Sequence, residues 1–368
     1  MAFHIQNLFN GNLCVLHEND FDADPFGVPH HPWVPPKTQR KSLSYKLNNA
    51  GHIMRSVLLH RTTKVPFGSA REGILAFLKD EAPDAILAEF GTAALRIAPV
   101  IAETGLPFFT YFRGADASSH LRQPLRVAGY KRMMPHLDGV FSVAQFLFDE
   151  LASFGVIHPN SHVIPSGVNT DRFTPVQKRP NSFLAVGRLI EKKRPDITIR
   201  SFCEAAGSHA DATLEVVGDG ALLDPCQAIA SDYGMSDRVI FHGAQPHGFV
   251  AEKLATSQVL LQHSVRAKDG NTEGLPMTIQ EAMASGMVVI STRHAGIPEA
   301  VREGQNGFLV DEGDEAGFAA AITQVLETPD ALGEMGHRNR VLAVADYDNR
   351  VLIKRVEAEI VRVIAARG

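Results

Sequence analysis

The sequence predicts an α/β protein with two doubly wound domains, and three observations support this fold class. Apolar runs of strand length alternate with amphipathic segments of helix length along the whole chain, which is the pattern of parallel sheets with helical crossovers. The length of 368 residues is more than one hydrophobic core needs. A hydrophobic content of 45% and a charged content of 21% are typical of globular chains and exclude disordered, collagen-like and disulfide-scaffold classes.

In the first half, short runs rich in aliphatic and aromatic residues predict the strands, and apolar residues spaced three or four apart predict the helices. The strands are 13–17, 85–90, 107–112 and 139–143, and the helices are near 69–81, 92–104, 121–135 and 144–153. The chain opens with a helix-like piece, 2–9, that Gly11 would cap, whereas a doubly wound domain normally begins with a strand. We therefore expect the first strand of the N-terminal domain to be missing.

The second half contains a complete doubly wound series, because six apolar runs are each followed by a segment of helical periodicity. The strands are 182–186, 213–217, 238–241, 259–262, 288–291 and 307–310, and the helices are near 193–206, 220–233, 246–257, 276–285, 296–303 and 314–328. Proline and charge interrupt the periodicity near 172–181, which predicts domains at 1–175 and 176–345. A last amphipathic helix within 346–368 either closes the second domain or crosses back to the first.

Charge and cysteine content exclude several function classes. The formal net charge of −5 lacks the basic excess of nucleic-acid-binding chains, so no nucleic-acid partner is predicted. Three scattered cysteines without a CxxC, and no His-Cys spacing of a metal site, predict neither a disulfide nor a metal. No apolar run reaches the ~18 residues of a membrane span, and no signal peptide opens the chain. We therefore expect a cytoplasmic protein.

The segment 273–286 predicts a helix that begins beside a bound anion. Pro276 suits the first helical turn and Gly274 permits close approach of the backbone, so the first amides of the helix could bind a phosphate. Glu281 lies in the same helix among apolar residues, where its carboxylate needs hydrogen-bond donors such as ribose hydroxyls. The alternative is a helix-surface glutamate beside a loop glutamate.

Two further loops follow the first two predicted strands of the second half. Arg188 and Lys193 lie at the carboxyl end of the first, where open α/β sheets bind ligands, and two cations suit a diphosphate leaving group. The alternative is a solvated basic face. After the next strand, Gly218-Asp219-Gly220 is an incomplete dinucleotide fingerprint, because Leu223 replaces the third glycine. This loop predicts a close backbone approach and disfavours a nicotinamide-dependent dehydrogenase.

Five motifs of the second half occur in an order that one enzyme family shares. They are Gly187-Arg188 with Lys193, 217–220, Phe241-His242-Gly243, the pair Glu273 and Glu281, and 294–299. On these motifs, residues 160–345 resemble the nucleotide-sugar-binding half of retaining GT-B glycosyltransferases of family four. The stretch 269–276 most resembles enzymes that assemble exopolysaccharides, including the colanic-acid type. The resemblance implies the GT-B fold, in which two Rossmann-like domains face a cleft.

The resemblance also implies roles for the matched residues. As catalytic residues, Arg188 and Lys193 would neutralise the diphosphate of a UDP- or GDP-sugar, and Glu273 would hold hydroxyls of the donor sugar. Glu281 would bind the ribose. The other candidate donor-binding residues are Gly187, Gly218, Asp219, Gly220, Gly274, Leu275, Pro276, Met277 and Thr278. The resembled family needs no metal or further cofactor, so we interpret Asp22-Ala23-Asp24, which imitates a metal-binding motif, as a coincidence.

Two features of the first half concern the acceptor side. Arg113 and Asp116 follow a predicted strand where the resembled family faces the donor sugar, although that family commonly has histidine in place of Arg113; the alternative is a loop or cap role. The basic amphipathic segment 121–134 resembles helices that membrane-associated members rest on anionic lipid, and the alternative is a solvated face. The family's first strand and glycine-rich loop have no counterpart, so the chain begins late or builds its cleft differently.

We therefore interpret the chain as a retaining, metal-independent hexosyltransferase. It would transfer a hexose from a nucleotide-diphosphate sugar to a glycan or lipid-linked glycan in cell-surface polysaccharide synthesis, in the cytoplasm or at the inner face of the membrane. One alternative is a sugar-nucleotide epimerase of the GT-B fold; a phosphorylase would need a pyridoxal lysine, which the sequence does not identify. Another is a non-catalytic nucleotide-sugar-binding protein with an incomplete first domain.

Overall fold

A computed structural model describes residues 13–17, 28–32 and 49–367. The predicted helix-like piece 2–9 and the Asp22-Ala23-Asp24 motif lie outside the described residues. The described residues form two compact units. The first comprises those within 1–142, 148–164 and 353–368, and the second comprises 143–147 and 165–352.

The first unit is built on a parallel sheet of four strands in the order β3-β4-β5-β6. Every residue of its strand β4 is buried, as expected for a strand covered on both faces. Two further strands, β1 and β2, form a separate parallel pair. The strand bounds are β1 Val15–His17, β2 His30–Pro32, β3 Ile86–Ala88, β4 Phe108–Phe112, β5 Gly139–Ser142 and β6 Ser161–Val163.

Helices cover the sheet of the first unit. Their bounds are α1 Ala50–His60, α2 Ser69–Glu81, α3 Gly91–Ile101, α4 Pro124–Met133 and α5 Gln145–Ser153. Helix α3 begins directly against β4, because a Cβ on Gly91 would lie 2.1 Å from Cε1 of Phe112. Only glycine fits at this approach of helix to strand. Four of these helices, α2 to α5, confirm predicted segments, whereas α1 was not predicted from the sequence.

The second unit is a doubly wound domain with six parallel strands in the order β12-β11-β10-β7-β8-β9. The strands are β7 Ser182–Val186, β8 Thr213–Val217, β9 Val239–Phe241, β10 Val259–Gln262, β11 Val288–Thr292 and β12 Gly307–Val310. This order reverses direction between β7 and β10, so the carboxyl ends of these strands mark the crevice where such sheets bind ligands. All six predicted strands are confirmed, with bounds that agree within one residue.

Helices pack on both faces of this sheet. Their bounds are α6 Pro195–Ala205, α7 Leu223–Asp232, α8 His247–Thr256, α9 Met277–Ala284, α10 Ile297–Ala300, α11 Glu315–Glu327 and α12 Pro329–Asp346, followed by α13 Asn349–Arg367. Helices α5 and α13 each have residues in both units. The sequence did not predict α12, an 18-residue helix that packs against α9.

Helix α12 is anchored by a buried asparagine. The side-chain amide of Asn339 donates to the carbonyl oxygens of Met287 (2.8 Å) and Asn306 (2.6 Å), and its oxygen accepts from Asn306 Nδ2 (2.9 Å). Asn339 is fully buried. These bonds join α12 to the start of β11 and to the loop before β12, so the helix is part of the domain and not an appendage.

We expect Asn339→Ala to lower the free energy of unfolding of the protein by about 2–3 kcal/mol, because it leaves buried carbonyl and amide groups without partners. Urea denaturation followed by circular dichroism measures the change. Val341→Ala is the matched control, since it truncates a side chain of the same helix that is 53% exposed. Equal midpoints for the two variants would contradict the anchoring role.

Candidate functional site

The predicted donor residues of the second unit lie in the loops at the carboxyl ends of β7, β8 and β10 and in helix α9, which follows the β10 loop. The first two loops are held by direct backbone contact. A Cβ on Gly218, whose φ is +143°, would lie 1.9 Å from the carbonyl oxygen of Gly187. The Leu189 amide also donates to the carbonyl oxygen of Asp219 (2.9 Å). The glycines of these loops therefore serve the approach of one loop to the other.

A buried carboxylate between two lysines forms the centre of the site. Lys193 Nζ lies 3.0 Å from Glu273 Oε1, and Lys192 Nζ lies 3.2 Å from Glu273 Oε2. Glu273 is only 9% exposed. Burial acts to raise the pKa of Glu273, but the two ammonium groups outweigh it and lower the pKa to about 2. The carboxylate is therefore ionised throughout the physiological range.

The backbone of Glu273 is fixed by a histidine that the sequence analysis did not assign to the site. The Glu273 amide donates to His294 Nε2 (3.0 Å), so His294 is protonated at Nδ1, which bonds to Glu312 Oε1 (2.5 Å). Burial raises the pKa of Glu312, but the bonds from His294 and the Arg266 amide lower it overall. The only sequence signal for His294 was its place in the motif 294–299.

Arg188 and Lys193 line a small cavity of about 30 Å³ below the β7 loop. Arg188 is exposed, and among the described residues nothing pairs with its guanidinium group. Gln262, at the end of β10, also lines this cavity. Its Nε2 donates to Ser264 Oγ (2.9 Å), while its buried Oε1 accepts no hydrogen bond from any described group. The cavity thus combines two cations with an unused acceptor.

Helix α9 begins beside Glu273. Pro276 precedes its first residue, and no described side chain caps this N-terminus. Leu275 is buried, and the carbonyl oxygen of Gly274 accepts from the Gly296 amide (2.9 Å). The first amides of the helix, those of Met277 and Thr278, have no intrahelical acceptor, which makes this end able to bind an anion.

Glu281 lies one turn into α9 and differs from Glu273 in its surroundings. Burial raises the pKa of Glu281 to about 7, against a smaller opposing effect of Arg172. No described residue donates a hydrogen bond to this carboxylate. Its neighbours Ile279, Ala282 and Met283 are fully buried. Glu281 is thus a half-buried acid that lacks the donors an ionised carboxylate needs.

In the first unit, both predicted acceptor-side residues have partners outside the loop after β4. Arg113 bonds through Nε to Glu89 Oε2 (2.9 Å), and its guanidinium lies 4.1 Å from the ring centre of Tyr111. Asp116 is buried and accepts from the amides of Gly91 (3.0 Å), Arg113 (3.1 Å) and Gly114 (3.0 Å). Burial raises the pKa of Asp116, and these amides oppose the shift. Asp116 therefore ties the loop after β4 to the start of α3.

Two models of known glycosyltransferase families match the chain. A model of the glycosyl transferases of group 1 matches residues 169–341, and a model of glycosyltransferase family 4 matches residues 24–172. Together the two models span residues 24–341, so the chain carries a family 4 and a group 1 glycosyltransferase domain. The predicted resemblance is confirmed, and in this glycosyltransferase the β7, β8 and β10 loops all lie within the group 1 segment.

Individual relatives agree with this assignment. The glycosyltransferase is 28% identical over 281 residues to WcaL of Salmonella typhimurium, a protein named for colanic acid biosynthesis, which covers 74% of this chain and 69% of that protein. It is 29% identical over 246 residues to a GDP-mannose-dependent phosphatidylinositol monomannoside mannosyltransferase of Mycolicibacterium smegmatis, over 62% of this chain and 63% of that protein.

A solved structure confirms the fold. The crystal structure of HepE from Anabaena in complex with UDP superposes with a TM-score of 0.68 at 17% identity, over 80% of this glycosyltransferase and 82% of that chain. The predicted α/β architecture of the GT-B type is therefore confirmed.

We expect Asp116→Ala to lower the free energy of unfolding of the protein by about 2–3 kcal/mol, because three amides lose their acceptor. Differential scanning calorimetry and urea denaturation measure the loss. Asp84→Ala, which removes an exposed carboxylate near the same sheet, serves as the control. An unchanged stability with loss of donor-sugar binding would instead favour a direct sugar contact by Asp116.

Proposed function

We propose that this chain is a retaining hexosyltransferase that uses a UDP- or GDP-hexose and a glycan or lipid-linked glycan acceptor. The observation that carries the proposal is the buried Glu273 carboxylate held by two lysines beside an uncapped helix start and Arg188. A diphosphate needs cations and free amides, and a sugar needs a fixed acceptor for its hydroxyls. The site offers both within one set of loops.

In the proposed reaction, the bond from the anomeric carbon to the diphosphate breaks and its electron pair moves to the phosphate oxygen. Arg188, Lys193 and the amides of Met277 and Thr278 stabilise this developing charge, the role that a metal ion fills in other transferases. The acceptor hydroxyl forms the new bond on the same face of the sugar and transfers its proton to the leaving phosphate oxygen. Glu273 holds hydroxyls of the donor hexose and Glu281 binds the ribose.

The names of the relatives support the biological setting of the proposal. WcaL is named for colanic acid biosynthesis, and AmsK of Erwinia amylovora for amylovoran biosynthesis. We therefore propose a role in assembling an exopolysaccharide or another cell-surface glycan on the cytoplasmic side of the membrane. The mannosyltransferase of M. smegmatis uses GDP-mannose and HepE binds UDP, so both nucleotides belong in the first panel of donors.

Calorimetric titration with UDP-hexoses and GDP-hexoses tests the donor site. We expect metal-independent binding of one class, unchanged by EDTA and strongly weakened in Glu281→Ala. Because the pKa of Glu281 is about 7, the fraction of ionised carboxylate rises about tenfold between pH 6 and pH 8. Donor affinity should rise with it, and Glu281→Gln should abolish this rise.

The sugar conjugates are used for the pH series because their diphosphates carry no proton that is lost in this range. Conversion of the donor without any acceptor would favour the epimerase. Binding without transfer to any glycan acceptor would favour the non-catalytic binding protein. No binding of any conjugate by the folded wild-type chain would contradict the proposed function.

We also propose that one face of the first unit contacts an anionic membrane. Helix α1 exposes apolar side chains, with Met54 at 62% and Leu58 at 58%. Arg132 of α4 donates to the carbonyl oxygen of Leu58 (3.0 Å), so the two helices share this face. The preceding residue of α4, Lys131, is also exposed, whereas Tyr130 is buried. Among the described helices, none is long and apolar enough to cross a bilayer, so the contact would be peripheral.

Flotation with vesicles that contain phosphatidylglycerol tests this contact. Basic residues contribute about 1 kcal/mol each near such a surface, so we expect Lys131→Glu to weaken binding by roughly 30-fold, since it removes one attraction and adds one repulsion of similar size. Met54→Asp should weaken binding at any salt concentration. Lys79→Glu, an exposed change on α2, is the control. Equal flotation with neutral vesicles, or no effect of either variant, would contradict the membrane contact.

A further inference from the structure

We propose that Lys192 is a positioning residue that keeps hold of one oxygen of Glu273 while Lys193 leaves the other oxygen for the donor diphosphate. This inference rests on the proposed function and gives a role to a residue for which the sequence predicted none. The two lysines bind different oxygens of the same carboxylate, Lys192 at Oε2 and Lys193 at Oε1. Their other contacts differ, and that difference carries the argument.

Lys192 is bonded to the segment that carries Glu273. Its Nζ donates to the carbonyl oxygen of Thr272 (3.3 Å), the residue before Glu273. Its own carbonyl oxygen accepts from the amide of Val265 (2.9 Å), which follows β10. Both ends of Lys192 are thus fixed to the 265–273 segment, and its side chain is only 12% exposed.

Lys193 lies on the other side of the same loop, beside Gly187 and the small cavity. Its side chain lies beside Gly187, where Cε would be 3.5 Å from an added Cβ. It lines the cavity together with Arg188, and Lys192 does not line it. The short 3₁₀ turn 191–193 places the two ammonium groups on either side of Glu273. Lys193 can therefore exchange a carboxylate oxygen for a phosphate oxygen without moving the loop.

The exchange has an electrostatic requirement. When Lys193 turns to the diphosphate, Glu273 would be a buried charge without a counter-ion unless a second cation stayed in place. Lys192 meets this requirement and keeps the carboxylate ionised. Oε1, released by Lys193, then becomes the free acceptor for a hydroxyl of the donor sugar. His294 holds the backbone of Glu273 during the exchange.

Three variants separate the two lysines. Lys192→Met, Lys193→Met and Lys192→Arg are each titrated with the nucleoside diphosphate alone and with its hexose conjugate, and kcat is measured from pH 5 to 9. We expect Lys192→Met to bind the nucleoside diphosphate several-fold more weakly than wild type, because Lys193 can then leave Glu273 only by removing the last counter-ion of this buried carboxylate. Its loss of affinity for the conjugate should be at least tenfold larger than its loss for the diphosphate, because the sugar contact depends directly on Glu273.

The two lysines should also differ in their kinetics. Lys193→Met should weaken binding of the nucleoside diphosphate alone, and it should lower kcat by about 10²-fold or more. In Lys192→Met, an additional loss of kcat should appear towards pH 5, where Glu273 of the wild type is still ionised, because Glu273 loses the cation that stays when the donor binds. Lys192→Arg should restore binding of the conjugate and the wild-type profile. A merely structural lysine would not add this acidic loss.

Lys79→Met is the control for a lysine-to-methionine change, since Lys79 is exposed on α2, and melting temperatures verify that each variant is folded. A Lys192→Met variant with wild-type conjugate binding and a wild-type pH profile would overturn the inference. So would an equal loss for diphosphate and conjugate, because Lys192 would then be a direct diphosphate ligand. If wild type binds no conjugate, the proposed function fails instead.

Discussion

A carboxylate that is ionised and buried needs counter-charges at fixed positions, and the arrangement around Glu273 follows from this requirement. Desolvation alone would favour the neutral acid, yet Lys192 and Lys193 lower its pKa to about 2. Such a pair of ion pairs is stable only if the loops that carry it cannot separate. The close approach of Gly218 to Gly187 and the bond from His294 to the Glu273 amide provide this rigidity.

The parallel sheet explains why these loops meet. In a doubly wound sheet, residues far apart in sequence come together wherever adjacent strands end at the same edge. Strand β7 pairs with both β8 and β10, so the loops that follow these three strands share one edge. In a dinucleotide-binding protein, the glycines of the fingerprint let the backbone approach the cofactor. Here Gly218 instead lets one loop approach the other.

The sequence predicted the second unit well because its buried strands are continuous apolar runs, a signal that does not depend on tertiary contacts. Helix α12 was not predicted from the sequence because its buried residues have helical spacing but include only one large apolar side chain. These residues are Leu332, Gly336, Asn339 and Ala343. No role was predicted for Lys192 for a related reason. In a run of basic residues, the sequence does not show which side chain turns inward. His294 had a motif position but no visible partner.

The two glutamates near the start of α9 have pKa values that are shifted in opposite directions. Glu273 is kept ionised by cations of the protein, whereas Glu281 has its pKa raised to about 7 by burial. A raised pKa means that the native state binds a proton more tightly than the unfolded chain between about pH 4.5 and pH 7. Stability is therefore lost as the pH rises through this window, and the loss is complete above it. Only a ligand that donates hydrogen bonds, such as a ribose, can offset this cost, so bound donor should stabilise the protein most where Glu281 is ionised.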